Sequence, residues 1–400
     1  MKARYQYRIY PTDRQQKKLS QVFGCTRVVW NDALALCRLS EKLPSNAELQ
    51  KLVITQAKQT AEREWLAEVS NIPLQQSVSD LGVAFKNFFE SLSGQRKGPK
   101  VKAPNFKKRS NQQSARYRKG GFSLKKNKLF LAKLGTFKVK WSRPLPAEAS
   151  SVTVIKDTSN RYFASFVVEV EPVLLPESAP SVGVDLGIKT FAFLSTGEAV
   201  KSPEYAKIDR KIRRFQRQMA RQVKGSNRRA RTRLKIAKLQ ATIKDIRKDF
   251  LHKLSTRLVS ENQAVCLEDL NVKGMVKNRK LSRAISQQGW GQFRTLIESK
   301  AKKYIGRTVS VISRWEPTSQ TCSDCGFKWG KLDLSVRSVL CVSCGTEHDR
   351  DGNAAKNIEK VGVGRTHDSK RTVRARKSGL PAMPVDLFSP SMENQLCLSL

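Results

Sequence analysis

Four cysteines stand in two matched pairs. Cys322 and Cys325 form C-S-D-C, and Cys341 and Cys344 form C-V-S-C fifteen residues further on. Two C-x-x-C knuckles at this separation predict one tetrahedral Zn²⁺, with all four positions taken by sulfur. Such a site leaves no place for water, so the predicted role is structural. Gly326 and Gly345 follow the pairs, where a knuckle needs a residue that tolerates positive φ. The segment after the second pair reads H-D-R-D-G-N-A-A-K-N-I. In it Asp351, Ala354, Ala355 and Ile358 share one helical face. A carboxylate opening an apolar face is a poor core residue unless a cation meets it. Asp349 reads instead as the helix N-cap.

Two further acids have comparable settings. Asp185 lies in S-V-G-V-D-L-G-I-K-T-F-A-F-L-S-T-G, a predicted β-hairpin in which Val182 and Val184 point to one face and Asp185 to the other. Glu268 ends the short apolar strand A-V-C-L-E-D-L, sharing a face with Ala264 and Cys266, while Asp269 faces away. A hairpin strand, a second strand and a late helix can bring Asp185, Glu268 and Asp351 together in an RNase H-like fold. Oxygen ligands without a nearby histidine suit Mg²⁺ or Mn²⁺. Two such ions about 4 Å apart would activate water and stabilise a leaving 3′ oxygen in phosphodiester cleavage. The D-L-G run also resembles the first phosphate loop of actin-like kinases, but the further glycine-rich loops of such folds are missing from the sequence.

The elements that must position these groups are spread over 400 residues, enough for two or three domains. Lysine and arginine number 76 against 34 acids, a net charge of +42. So strong a field calls for a polyanionic partner, with nucleic acid ahead of a membrane surface. No apolar run is long enough to span a bilayer, and the N-terminus lacks the core of a signal peptide. The other cysteines are scattered, which fits a reducing cytoplasm. The strand Ala3 to Tyr10 leads into a helical bundle reaching about Leu92. Residues 94–128 are basic, with Phe106, Tyr117 and Phe122 expected as stacking surfaces. Strands follow to Glu171, then a proline-rich linker. Residues 204–260 read as a helical hairpin bent at Lys224 to Asn227. Between Tyr205 and Phe250 it carries seventeen Lys or Arg against three Asp. That imbalance is too one-sided for intrahelical pairing and predicts a face for a phosphate backbone. The chain after Lys360 reads as disordered.

In combination, V-D-L-G-I-K-T-F-A, L-E-D-L, S-Q-Q-G-W-G-Q-F, the four cysteines and H-D-R-D-G-N-A-A-K-N-I resemble the TnpB family of transposon-encoded RNA-guided DNA endonucleases, related to type V CRISPR effectors. Y-R-I-Y-P-T, F-G-C-T-R-V-V-W-N and L-Q-Q-S-V-S-D-L extend the resemblance over roughly residues 1–360. It implies a multidomain α/β protein. A wedge β-barrel is expected over 1–10 and 95–175, with a helical recognition domain, 11–94, inserted in it. A RuvC-like RNase H-fold nuclease is expected over 176–315 and 346–360, and a zinc-binding target-nucleic-acid-binding domain over 316–345, leaving a basic tail at 361–400. Asp185, Glu268 and Asp351 become the Mg²⁺-holding catalytic acids, and Cys322, Cys325, Cys341 and Cys344 the zinc ligands. The implied partners are a guide RNA from the transposon end and double-stranded target DNA beside a short flanking motif. No membrane is implied. The protein would be monomeric with its RNA, in a prokaryotic cytoplasm and associated with the nucleoid through DNA. The alternatives are an RNA-guided binder without cleavage, a strand-transferring transposase and, more remotely, an actin-like ATPase.

Overall fold

The computed structural model describes residues 1–377 apart from 97, 111, 177, 178 and 334. Its contacts divide the chain into two units, 1–173 with 204–248, and 174–203 with the remainder.

The first unit opens with β1 (Lys2–Tyr10). Helix α1 (Asp13–Leu39) follows at once. Thr12 and Gln15 form a reciprocal capping box that satisfies donors at the start of α1. The short α2 (Asn46–Gln50) leads through π- and 3₁₀-helical turns to α3 (Asn71–Leu92). Strands β2 (Gln113–Arg118), β3 (Phe122–Lys125), β4 (Lys128–Leu131), β5 (Gly135–Lys140), β6 (Ala149–Lys156) and β7 (Tyr162–Glu169) complete an antiparallel sheet ordered β2-β6-β7-β1-β5-β4-β3. It curls into a nearly closed β-barrel. Alternation places Tyr7, Ile9, Leu129, Leu131, Phe137 and Val154 inside, in one core with Leu19, Val22, Leu74 and Val78 of the helices.

Two expectations for residues 94–128 need correction. Tyr117 is fully buried in β2, and Phe122 packs against the same core, so neither offers a ring for stacking. The lysines and arginines around them hid the alternation of two strands. Phe106 alone of the three is exposed, with the Arg38 guanidinium 4.6 Å from its ring centre.

The helical hairpin appears as α4 (Ala206–Ala220) and α5 (Asn227–Glu261), bent at Gly225 with φ +88°. Arg229 closes the bend by donating to the carbonyls of Met219 and Gln222. Its residues 204–248 cluster with the first unit, where Asp245 pairs with Arg161. Along α5, Ile246 is exposed, whereas Leu251, Leu254 and Leu258 are buried.

Strand β8 (Val173–Leu174) lies at the division, and the second unit follows it. The central sheet is built from β9 (Ala179–Leu186), β10 (Ala192–Leu194), β11 (Ala199–Val200) and β12 (Asn262–Glu268). Helices α6 (Val272–Met275), α7 (Ser282–Gln288) and α8 (Trp290–Ala301) then lead through β13 (Tyr304–Ile305) to β14 (Thr308–Ile312). Strand order is β11-β10-β9-β12-β14, with β9, β12 and β14 parallel. The knuckle segment carries β15 (Ser338–Leu340) and β16 (Glu347–Asp349), and α9 (Arg350–Lys377) ends the described chain.

Parallel strands need cover on both faces. Val182, Val184, Val265 and Leu267 face Leu251 and Leu254 of α5 and Phe293 and Ile297 of α8. The opposite face takes α9: Cys266 and Ile312 pack on Ile358, with Val361 and Val363 beside them. The helix therefore continues past Lys360, where disorder was expected, because its apolar face continues. Residues 378–400 of the expected tail lie outside the described residues.

Candidate active site and cysteine cluster

Side chains alternate along β9 and β12, and the α9 face can be followed residue by residue. Gly183 lies opposite Cys266 across the parallel pair, and Val184 lies opposite Leu267. A Cβ on Gly183 would sit 2.0 Å from the Ala355 carbonyl oxygen, and one on Gly362 would sit 2.4 Å from Cys266 Sγ. Glycine at these positions is what lets helix and sheet touch. The next residues on this face are Asp185 and Glu268, at the C-terminal ends of their strands.

Helix α9 runs against the strand direction. Glu359 accepts from the Ser181 hydroxyl near the start of β9, Ala355 lies over Gly183, and Gly352 lies against Phe193, the β10 partner of Asp185. The N-terminal turn of α9, with Asp351, thus arrives at the strand ends that carry Asp185 and Glu268. Asp349 caps this turn, accepting from the Gly352 N–H at 2.8 Å, which is the cap role its spacing predicts.

The electrostatics report the convergence. Asp185 is half-buried and its pKa is pushed up to about 7, first by lost solvation and then by the charges of Asp351 and Glu268. Glu268 is raised as well, by burial and by Asp269, against the pull of Arg314. Asp269 accepts from Arg294 at 2.7 Å and from Arg314, and these hydrogen bonds hold it below the usual carboxylate range. It is engaged outside the trio. Asp351 faces Arg337 Nη1 at 3.4 Å. Three oxygen donors, with no thiol or imidazole among them and with Asp351 and Glu268 repelling Asp185, are of the type a hard divalent ion takes, although among the described residues only the four cysteines bring their ligand atoms within 4.8 Å of one another.

The cysteines converge more tightly. Their four Sγ atoms all lie within 4.8 Å of one another, an ion-sized space. The cross-pair separations are 3.7 Å for Cys322–Cys344 and 3.6 Å for Cys325–Cys341. Gly326 and Gly345 adopt positive φ, +81° and +72°, as the knuckle turns require. Thr346, through its hydroxyl and its backbone, lowers the pKa of Cys344 to about 6, favouring the thiolate that a metal binds.

Several residues of this region escaped the sequence reading. Buried His348 places Nε2 3.1 Å from Cys322 Sγ, with Trp329 packed on its ring. Asn353 and Asn357, inside the helix motif, hydrogen-bond to the backbone of the first knuckle, as does Lys360. Their spacing of four and three residues marks a second helical face, and that periodicity was the signal available in the sequence.

Comparison with known proteins agrees with this layout. Residues 165–279 match the family model OrfB_IS605, described as "Probable transposase", and residues 290–358 match the TNB domain of Cas12f1-like proteins. Residues 1–40 match a helix-turn-helix model, although here they form one strand and one long helix. A Streptomyces pristinaespiralis protein provisionally named an RNA-guided DNA endonuclease is 42% identical over 91% of this chain and 90% of its own length. An Escherichia coli K12 protein provisionally named RNA-guided DNA endonuclease InsQ is 31% identical, covering 90% of this chain and 92% of its own. A TnpB-like protein of Acanthamoeba polyphaga mimivirus, L770, is 26% identical over 89% of this chain and 72% of its own. With the family model falling on the strands that carry Asp185 and Glu268, and with a relative 42% identical over 91% of this chain and 90% of its own length, this chain belongs to the TnpB family, the OrfB proteins of IS605-type elements.

Proposed function

We propose that the protein is an RNA-guided, divalent-metal-dependent DNA endonuclease whose RuvC-like site is formed by Asp185, Glu268 and Asp351. The convergence of two strand ends and one helix start, close enough that the charges of Asp351 and Glu268 act on Asp185, carries this reading. Mg²⁺ or Mn²⁺, held by these three carboxylates, would supply an activated water and charge neutralisation at the leaving 3′ oxygen. The chain's own part is to fix the three acids on rigid elements. Two lie on adjacent hydrogen-bonded strands, and one lies on a helix locked to those strands by Gly183 and Gly362. Arg337 balances Asp351 until a cation takes its place. Zn²⁺ at Cys322, Cys325, Cys341 and Cys344 holds the knuckles and does no chemistry.

The excess of positive charge provides for nucleic acid: a guide RNA from the transposon end and a double-stranded target beside a short flanking motif, with one protein chain per RNA. Purified protein with its co-expressed RNA should cut matching DNA in Mg²⁺ and fail in EDTA. Asp185→Ala, Glu268→Ala and Asp351→Ala should each abolish cutting and leave RNA binding intact. Continued cutting by any one of them would end this site assignment. The family model's description favours a second reading, in which the same acids transfer strands between transposon ends. That reaction would survive ribonuclease treatment, whereas guided cleavage would not.

A further inference from the structure

The side chains of α9 that face away from the sheet connect the cysteine cluster to the acids. Asn353 is 2% and Asn357 9% exposed, so their hydrogen bonds are dry. Both amide nitrogens reach the same two carbonyls of the first knuckle. Asn353 Nδ2 donates to Thr321 O at 2.8 Å and Thr318 O at 3.4 Å, and Asn357 Nδ2 donates to the same pair at 2.7 and 2.8 Å. Asn353 Oδ1 accepts from the Ser323 N–H at 2.7 Å, between Cys322 and Cys325, and Lys360 donates to the Ser323 carbonyl. These bonds span thirty to thirty-nine residues of sequence, so they do not serve the helix itself. The second knuckle needs no such tie, since Cys344 runs through β16 directly into α9.

We propose that Asn353 and Asn357 are positioning residues: they fasten the first knuckle to the helix that carries Asp351, so that a filled cysteine cluster sets where that carboxylate sits. An ion held by Cys322, Cys325, Cys341 and Cys344 would tie the two knuckles to each other. The second knuckle holds the beginning of α9 through the chain, and the first holds it through the two asparagines. With both anchored, the N-terminal turn of α9 is gripped from two directions, two residues from Asp351. Without the asparagines the first knuckle keeps the Lys360 bond to α9, more than two helical turns beyond Asp351, and the N-terminal turn can pivot on its covalent connection. The inference rests on reading Asp351 as a cleavage acid, and its test separates the two claims.

The variants are Asn353→Ala, Asn357→Ala and Asn357→Asp, the last keeping the shape while removing the donors. Lys356→Ala, exposed on the same helix, is the control. Bound zinc, guide-RNA retention and target binding should match the parent, because every cysteine is present. The Mg²⁺ concentration for half-maximal cleavage should rise. The single-turnover rate at saturating Mg²⁺ should fall about 10- to 100-fold, the usual effect of losing an outer-shell support or misplacing a reacting group. Hydrogen exchange supplies a readout apart from activity. In the parent, stripping zinc should speed exchange over residues 350–356, whereas in the variants that segment should exchange fast with or without zinc. Unchanged rates and Mg²⁺ dependence, or zinc lost along with cleavage, would overturn the positioning role. A parent protein that never cleaves would sink the nuclease reading, and the exchange comparison would still decide the clamp.

Discussion

The two candidate metal sites of the second unit obey opposite rules. The four sulfurs already surround an ion-sized space, with hydrogen bonds from Thr346 favouring the thiolate of Cys344 while burial pushes Cys341 up to about 11, and with His348 Nε2 3.1 Å from Cys322. The three carboxylates are crowded into repulsion, and the half-buried Asp185 is driven toward its neutral form. A site that only holds structure can relax around its ligands. On the proposed assignment, a site that must exchange ions and admit a scissile phosphate would be kept frustrated, with the surrounding fold making up the deficit. The two are joined by α9, which carries an acid at its start and the knuckle contacts two residues later.

Stripping metal should separate them most sharply. EDTA at moderate concentration should silence the acids reversibly and leave the fold unchanged. Removing zinc with a stronger chelator, or Cys322→Ser, should melt the knuckle, because structural zinc in small modules contributes on the order of 10 kcal/mol of apparent binding free energy. Metal content and circular dichroism read out both. Full cleavage from zinc-free protein would erase the contrast.

A smaller effect is expected from Gly183→Ala. The added methyl would meet the Ala355 carbonyl, so α9 must lift away from β9. Overpacking of this kind costs about 1–3 kcal/mol. Asp351 should move with the helix, so cleavage should fall further than stability does. Parallel denaturation and cleavage measurements test this, and equal losses in the two would refute the link.

The smallest effect concerns pH. Asp185 binds its proton more tightly in the fold than in the unfolded chain, where a carboxylate titrates near 4. Its contribution to metal-free stability is therefore present in acid and is lost as pH rises through about 7. Melting temperature of chelated protein should decline by a few degrees over that range. Asp185→Asn should flatten the decline while abolishing cleavage. Mg²⁺ binding needs the ionised carboxylate, so the stabilisation that Mg²⁺ confers should grow with pH. A chelated protein whose stability is level from mild acid to neutrality would show that Asp185 is not frustrated.

Much of this was legible in the sequence because the decisive signals are local. Two C-x-x-C pairs, an acid at the polar register of an apolar hairpin, and an aspartate two residues before another at a helix start each declare themselves within a short window. The aromatic residues in the basic stretch misled for the converse reason. Lysine and arginine at alternate positions look like a solvated loop, although Tyr117 between them fills a barrel. The spacing of Asn353 and Asn357 marks a helical face, but no periodicity names a partner, and theirs lie 30 to 39 residues away. The helix beyond Lys360 was missed because its apolar residues, Val361 and Val363, are few among charges.

The contact between Gly362 and Cys266 carries one more implication. The thiol lies against a backbone with no intervening atom, and burial pushes its pKa up to about 12, so it stays inert to electrophiles while the layers are closed. A thiol-selective reagent would mark this cysteine only in molecules whose helix α9 had peeled from its sheet. The rate of that labelling would time how often the scissors come apart.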